Sequence, residues 1–112
     1  IVNTDSAKAI ARHELLCSLD DVIREASRCL KSKGKMYMVH RPNRLVDIFD
    51  TMRKYHLEPK RMRLVYPYVN KAANMVLIEA VKGGNSQLIV EEPLIVYKTD
   101  GTYTDALLKM YE

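Results

Sequence analysis

Four consecutive apolar residues, Met36 to Val39, follow Gly34 and run directly into the basic turn His40-Arg41-Pro42. A short apolar run between two breakers predicts a strand buried on both faces. Helical periodicity lies on either side of it. Upstream, Leu19, Val22, Ile23, Ala26, Cys29 and Leu30 recur at helical spacing. They follow Ser18-Leu19-Asp20-Asp21, a capping box in which the Asp21 carboxylate reaches back to the Ser18 amide. Lys31 and Lys33 suit the negative end of that helix's dipole, and Gly34 suits the left-handed conformation that closes it. Downstream, Leu45, Ile48, Phe49 and Met52 form an apolar stripe continued by Tyr55. That helix opens at or near Pro42, and Leu57-Glu58-Pro59-Lys60 ends it, because Pro59 disfavours helical geometry at Glu58.

The period then changes. From Arg61 to Tyr66, Met62, Leu64 and Tyr66 alternate with Arg61, Arg63 and Val65, which predicts a half-exposed strand. After a polar connection, Met75 to Val81 reads as a second strand of the buried type. A connection this short has no room for a crossover helix, so these two strands should be antiparallel. Short strands around Leu88 to Val90 and Leu94 to Tyr97, interrupted by Pro93, lead to a turn at Asp100-Gly101 and a last helix capped by Thr104. Before Ser18, the stretch Asp5 to Glu14 is rich in helix formers behind a capping Asp or Ser, enough for one or two turns.

Helix, buried strand and helix in succession form the unit of an α/β parallel sheet, and such sheets bind ligands beyond the carboxyl ends of their strands. His40, Arg41 and Asn43 belong to that end. The composition fits one domain or a piece of one: 112 residues, 47% hydrophobic and 29% charged, with no apolar run near the roughly 20 residues that cross a bilayer. The opening Ile1-Val2-Asn3-Thr4-Asp5 has neither an initiator Met nor a signal-peptide pattern, so a start inside a longer protein is expected, and a cytoplasmic one. Cys17 and Cys29 have no CxxC spacing and read as two buried, reduced thiols.

Charge sharpens the picture through its distribution. Residues 31–63 carry ten Lys and Arg against three acids, whereas residues 91–112 carry five acids against two lysines. A basic centre is compatible with a polyanion such as RNA, or else is a solvated surface. Arg41 is a candidate phosphate contact, the alternative being an ion pair with Asp47 or Glu14. His13 and Cys17 stand four apart, as metal ligands on a helix do, yet no further ligands follow at compatible spacing. No nucleophile elbow supports a hydrolase. Glu79 inside an apolar strand is expected to pair with Lys82 or another basic neighbour. Tyr66, Tyr68, Tyr97 and Tyr103 either stack on bases or cover a core edge.

Several segments carry a resemblance: Ala11-Arg12-His13-Glu14, Leu30 to Pro42, Leu57 to Arg61, Leu77 to Gly84, and Pro93-Leu94-Ile95-Val96-Tyr97 followed by Gly101-Thr102-Tyr103-Thr104. Together with a parallel sheet finishing in an antiparallel hairpin, they resemble the bacterial tRNA adenine-N6 methyltransferases that modify a purine beside the anticodon of a valine tRNA. The resemblance covers essentially the whole chain. It implies the carboxyl half of a Rossmann-like class I methyltransferase sheet, with Met36 to Val39 as the fifth of seven strands. In that family S-adenosyl-L-methionine sits on a glycine-rich loop after the first strand, with an acidic residue after the second, and an Asn-Pro-Pro-Tyr loop grips the target amine.

None of those three features occurs in this sequence. The resemblance therefore implies that residues 1–112 are a single partial domain, the substrate-side half, with cofactor and catalytic loop upstream and no catalytic or cofactor-binding residue of its own. N6 methylation requires the adenine to be flipped and its amine aligned with the sulfonium methyl. In this half Arg12, His13, His40, Arg41, Arg44 and Lys82 are the candidate substrate or RNA contacts. Arg12-His13-Glu14 would either order the catalytic loop or meet phosphate, or else cap a helix or form an ion pair. The expected partners are RNA, specifically tRNA, and the missing amino-terminal half or another chain across the exposed sheet edge. The alternative is a non-catalytic α/β RNA-binding module of methyltransferase ancestry.

Overall fold

The expected capping box opens the first helix of the computed structural model, which describes residues 18–111. The Asp21 amide donates to Ser18 Oγ at 3.1 Å, and the Ser18 amide donates to Asp21 Oδ2 at 3.2 Å. Helix α1 runs over Leu19–Cys29 and buries Ile23 and Ser27. Its inward stripe is centred on Ile23, with Leu19 and Leu30 beside it. At about 100° per residue, Cys29 falls about 120° round the helix from Ile23. Cys29 is accordingly exposed, which corrects the expectation of a buried thiol. Ser27 takes the inward position instead, and its Oγ donates to the Tyr55 carbonyl at 2.6 Å, so its burial leaves no unmet donor.

The turn after α1 also differs from expectation. Lys33, at φ 69°, adopts the left-handed conformation expected of Gly34. Gly34 is needed for space, since a Cβ there would stand 2.9 Å from the Lys31 carbonyl oxygen. Strand β1 follows over Lys35–His40, then a 3₁₀ turn over Pro42–Arg44 and helix α2 over Leu45–Lys54. Proline suits the start of such a turn because its φ is preset and it has no amide to satisfy. The chain reverses at His56, φ 64°, and strand β2 runs over Leu57–Tyr66. β2 therefore begins four residues before the alternation that announced it. Pro59 lies inside it, at a bulge between Pro59 and Arg61, one of the few places where a strand tolerates a proline.

Strand β3, Met75–Lys82, lies between β1 and β2 and is antiparallel to both. β1 and β2 consequently run parallel, separated by a strand made after both. The antiparallel β2–β3 pair is as expected from its short connection. Strands β4, Ile89–Val90, and β5, Leu94–Ile95, pair in parallel with β2 along its other edge. A short helix α3, Asp105–Lys109, is capped by the Thr104 hydroxyl, which accepts from the Leu107 amide at 3.2 Å. The result is a mixed α/β sheet containing both parallel and antiparallel pairs.

Both long helices cover one sheet face. Ile23 from α1 and Ile48 and Met52 from α2 pack on Leu57, Met62, Val76, Ile78 and Ala80 from the strands. Truncating a fully buried Ile23 or Ile48 to alanine would cost about 2–5 kcal/mol by cavity formation. On the opposite face the register forms cross-strand rows, Tyr37–Glu79–Arg61 and Val39–Leu77–Arg63. Tyr37 is 68% exposed and Val39 59% exposed, so β1 is covered on one face only, which corrects the expectation of a strand buried on both. The physical reason is that α1 and α2 lie on the same side. The bare face holds a shallow groove lined by Tyr37, Val39, Leu77 and Glu79, with the Arg61–Glu91 pair at 3.0 Å on its rim.

Candidate functional site

The parallel direction of β1 and β2 defines a carboxyl end of the sheet, and there the chain leaves β1 through His40-Arg41-Pro42. β3 starts at the same end, because His40 pairs with Val76 and Val65 with Met75. Two adjoining grooves open here. One, of about 450 Å³, is lined by Val39, His40, Arg41, Asn74 and Met75, and the other by Arg41, Pro42, Asn43, Ala73 and Asn74. Arg41 and Asn74 are common to both.

Each side chain in this end is held for a local reason. His40 points to the helix-covered face in the row of Val76 and Leu64. Its Nδ1 accepts from the Arg41 amide at 2.8 Å, which leaves its proton on Nε2 when the ring is neutral. Arg44 Nε donates to Asp47 Oδ2 at 3.1 Å within the first turn of α2. The expected alternative for Arg41, a pair with Asp47, is thus taken by Arg44. The Arg41 guanidinium itself has no hydrogen bond or ion pair with the described residues, and Glu14 lies outside them. A guanidinium at the ligand end of a sheet, with five donors unspent on the described residues, is suited to a planar or tetrahedral oxyanion. Lys71, in the β2–β3 connection, is likewise exposed and without a partner among the described residues.

Of the six candidate contacts, the structure brings His40, Arg41 and Arg44 together at this end. Arg12 and His13 lie outside the described residues. Lys82 stands at the opposite end of the sheet, since Lys35, where β1 begins, pairs with Val81. Its ammonium donates to the Ser27 carbonyl at 2.5 Å and the Leu30 carbonyl at 2.9 Å, closing the carboxyl terminus of α1. Glu79, expected to meet Lys82 or another basic neighbour, meets Lys35 at 3.9 Å. Residues three apart on a strand point to opposite faces, so Lys82 could not reach it.

Ala73 and Asn74 were legible only as a polar connection. What makes them part of the site is the insertion of β3 beside β1, which brings the β2–β3 loop next to Arg41. The tyrosines cluster further along the same end. Tyr68 stacks on Tyr97 with ring centroids 5.3 Å apart, and Tyr97 on Tyr103 at 5.5 Å.

The described residues do not fit an S-adenosylmethionine cradle. Such a cradle needs glycine backbone beside the cofactor at the carboxyl end of a parallel strand. Here Gly83 and Gly84 follow β3 at the opposite end, where the Gly83 amide donates to the His56 carbonyl at 2.9 Å. No group of His, Cys, Asp or Glu that could hold a metal ion occurs among the described residues. Nor is any described helix long and apolar enough to cross a membrane.

No protein-family model matches the chain, and no curated protein matches it in sequence. Its fold is similar to a solved structure, the crystal structure of a predicted O-methyltransferase, protein Atu636 from Agrobacterium tumefaciens. The TM-score is 0.75 at 25% identity, and the likeness covers 82% of this chain and 44% of that one. The chain thus has a methyltransferase-like fold and spans less than half the length of the solved structure it matches.

Proposed function

We propose that this chain forms the substrate-side part of an S-adenosylmethionine-dependent methyltransferase that acts on RNA, the acceptor being the N6 amine of an adenine in tRNA. The observation that carries the RNA reading is Arg41, a guanidinium without a partner among the described residues at the carboxyl end of a methyltransferase-like sheet. Support comes from the basic centre of the sequence, residues 31–63, and from the groove that Arg41 shares with Asn74. The described residues bind and orient substrate in this reading. Arg41 and Lys71 engage phosphate, while His40 and Asn74 offer hydrogen-bonding groups beside it. S-adenosylmethionine supplies the electrophilic methyl group, and residues outside the described ones hold it. The solved neighbour is a predicted O-methyltransferase, with oxygen as its acceptor, so the adenine amine rests on the sequence resemblance.

The test is nucleoside mass spectrometry on tRNA from a strain of the source organism with the gene deleted. Loss of N6-methyladenosine from tRNA, restored by the full gene and not by its Arg41→Ala form, is the expected result. An unchanged nucleoside profile would overturn the enzyme reading. A non-catalytic RNA-binding module is the second reading, favoured by the misfit between the described residues and the cofactor. It predicts unchanged nucleosides together with retained tRNA binding.

A further inference from the structure

The loops after β2 and β5 meet through three tyrosine rings. Tyr68 and Tyr97 are inclined by 30° and Tyr97 and Tyr103 by 20°, so the rings form one continuous stack. The backbone beneath is fixed. The Val96 amide donates to the Tyr66 carbonyl at 2.8 Å and the Tyr97 amide to the Pro67 carbonyl at 2.9 Å. The turn that returns Tyr103 to Tyr97 is closed by the Lys98 amide on the Thr102 carbonyl at 2.7 Å, and Tyr97 and Tyr103 form an isolated bridge. Tyr103 takes no part in the main core and remains 50% exposed although one of its faces is covered.

We propose that this stack is a platform for an unpaired base of the RNA strand whose phosphate meets Arg41. The inference rests on the RNA reading above and adds to it the form of recognition. A pre-stacked, half-exposed ring on a rigid turn offers a base a π-face at little entropic cost, and base–aromatic stacking tolerates any sequence. Charge sets the direction of the strand. Lys71 is the one charge in the same connection as Tyr68, whereas on the Tyr103 side Asp100 and Asp105 offset Lys98 and Lys109. Asp100 is occupied, accepting from the Thr102 amide and hydroxyl at 2.9 and 2.6 Å, and its carboxyl is held below the ordinary value mainly by that hydroxyl. Phosphates therefore belong on the Arg41 and Lys71 side and the neutral base on Tyr103. The strand order β1-β3-β2, with β5 beside β2, separates the two by three strand spacings, roughly 14 Å.

The chain contains no tryptophan, so Tyr103→Trp in the full chain installs a single reporter. Titration with oligoadenylate should quench its indole fluorescence, and titration with heparin, a polyanion without bases, should not. Tyr103→Ala should weaken oligoadenylate binding about fivefold or more with the same salt dependence. Arg41→Ala should instead lower the salt slope by about one. The inference is overturned by equal quenching with heparin, by no quenching, by oligoadenylate binding that Tyr103→Ala leaves intact, or by no oligoadenylate binding at all. These readouts need no methyl transfer, so they stand apart from the nucleoside profile that decides the enzyme reading.

Discussion

Tyr55 Oη donates to Asp20 Oδ2 at 2.7 Å, joining the first turn of α1 to the carboxyl end of α2. Lys54 Nζ reaches the other carboxylate oxygen at 2.9 Å. The tyrosine hydroxyl first, and the lysine second, hold the Asp20 carboxyl below its ordinary value. A carboxyl with a depressed folded-state pKa contributes stability that is present above its unfolded value and lost as pH falls through the folded one. Tyr55→Phe should therefore lower the melting temperature by a few degrees at pH 7. The gap from the parent chain should close as the pH drops below the ordinary aspartate range, as followed by circular dichroism. A gap that stays constant down to pH 2 would contradict the coupling.

Lys82 closes α1 from β3, across 52 residues of sequence to Leu30. Lys82→Met keeps the aliphatic stem and removes the ammonium. It should cost about 1.5–3 kcal/mol in urea denaturation, the range for hydrogen bonds to a charged group. Because this amine is engaged at the far end of the sheet, tRNA affinity should not change in a filter-binding assay.

Arg41 and Arg44 separate phosphate binding from helix stability. Arg41→Ala should weaken tRNA binding across sequences with little effect on the melt. Arg44→Ala breaks the pair with Asp47, an exposed interaction worth at most about 1 kcal/mol, and should affect RNA less. Anisotropy titrations at several salt concentrations would tell the two apart.

The outer edge of β1 has no strand beside it among the described residues, and the bare face carries Tyr37 and Val39. An open edge next to exposed apolar side chains invites pairing. The chain should self-associate with rising concentration in light scattering, and Val39→Lys should reduce this. A monomer at every concentration, with a cooperative melt, would argue against an exposed docking edge.

Calorimetry with S-adenosylmethionine should show no micromolar binding to this chain. Tight binding would sink the argument from the position of Gly83 and Gly84.

Most features set by neighbouring residues were legible in the sequence, the left-handed Lys33 in place of Gly34 being an exception. The Ser18–Asp21 box, the Pro42 helix start and the Thr104 cap each depend on atoms a few positions apart, and each is found where it was expected. Features set by distant partners were not. Ser27 looks misplaced in an apolar stripe until the Tyr55 carbonyl is seen opposite it. Pro59 looks like a strand boundary until the bulge accommodates it. His40 and Arg41 could be assigned to the ligand end from one strand's direction. Asn74 could not, since its place beside them depends on which strand β3 chooses to lie between.

That choice also orders the events of folding. Among the described residues no two strands made before Met75 pair with each other: β1 and β2 both wait for β3, and β4 and β5 come later still. Within residues 18–111, β1 and β2 therefore remain unjoined until β3 is out. Until then Ile23, Ile48 and Met52 lack Val76, Ile78 and Ala80, the β3 part of the core they pack on, since long-range pairing must follow loop closure. Premature termination just before β3 should leave β1 and β2 unjoined and this core incomplete, a target for chaperones and proteases.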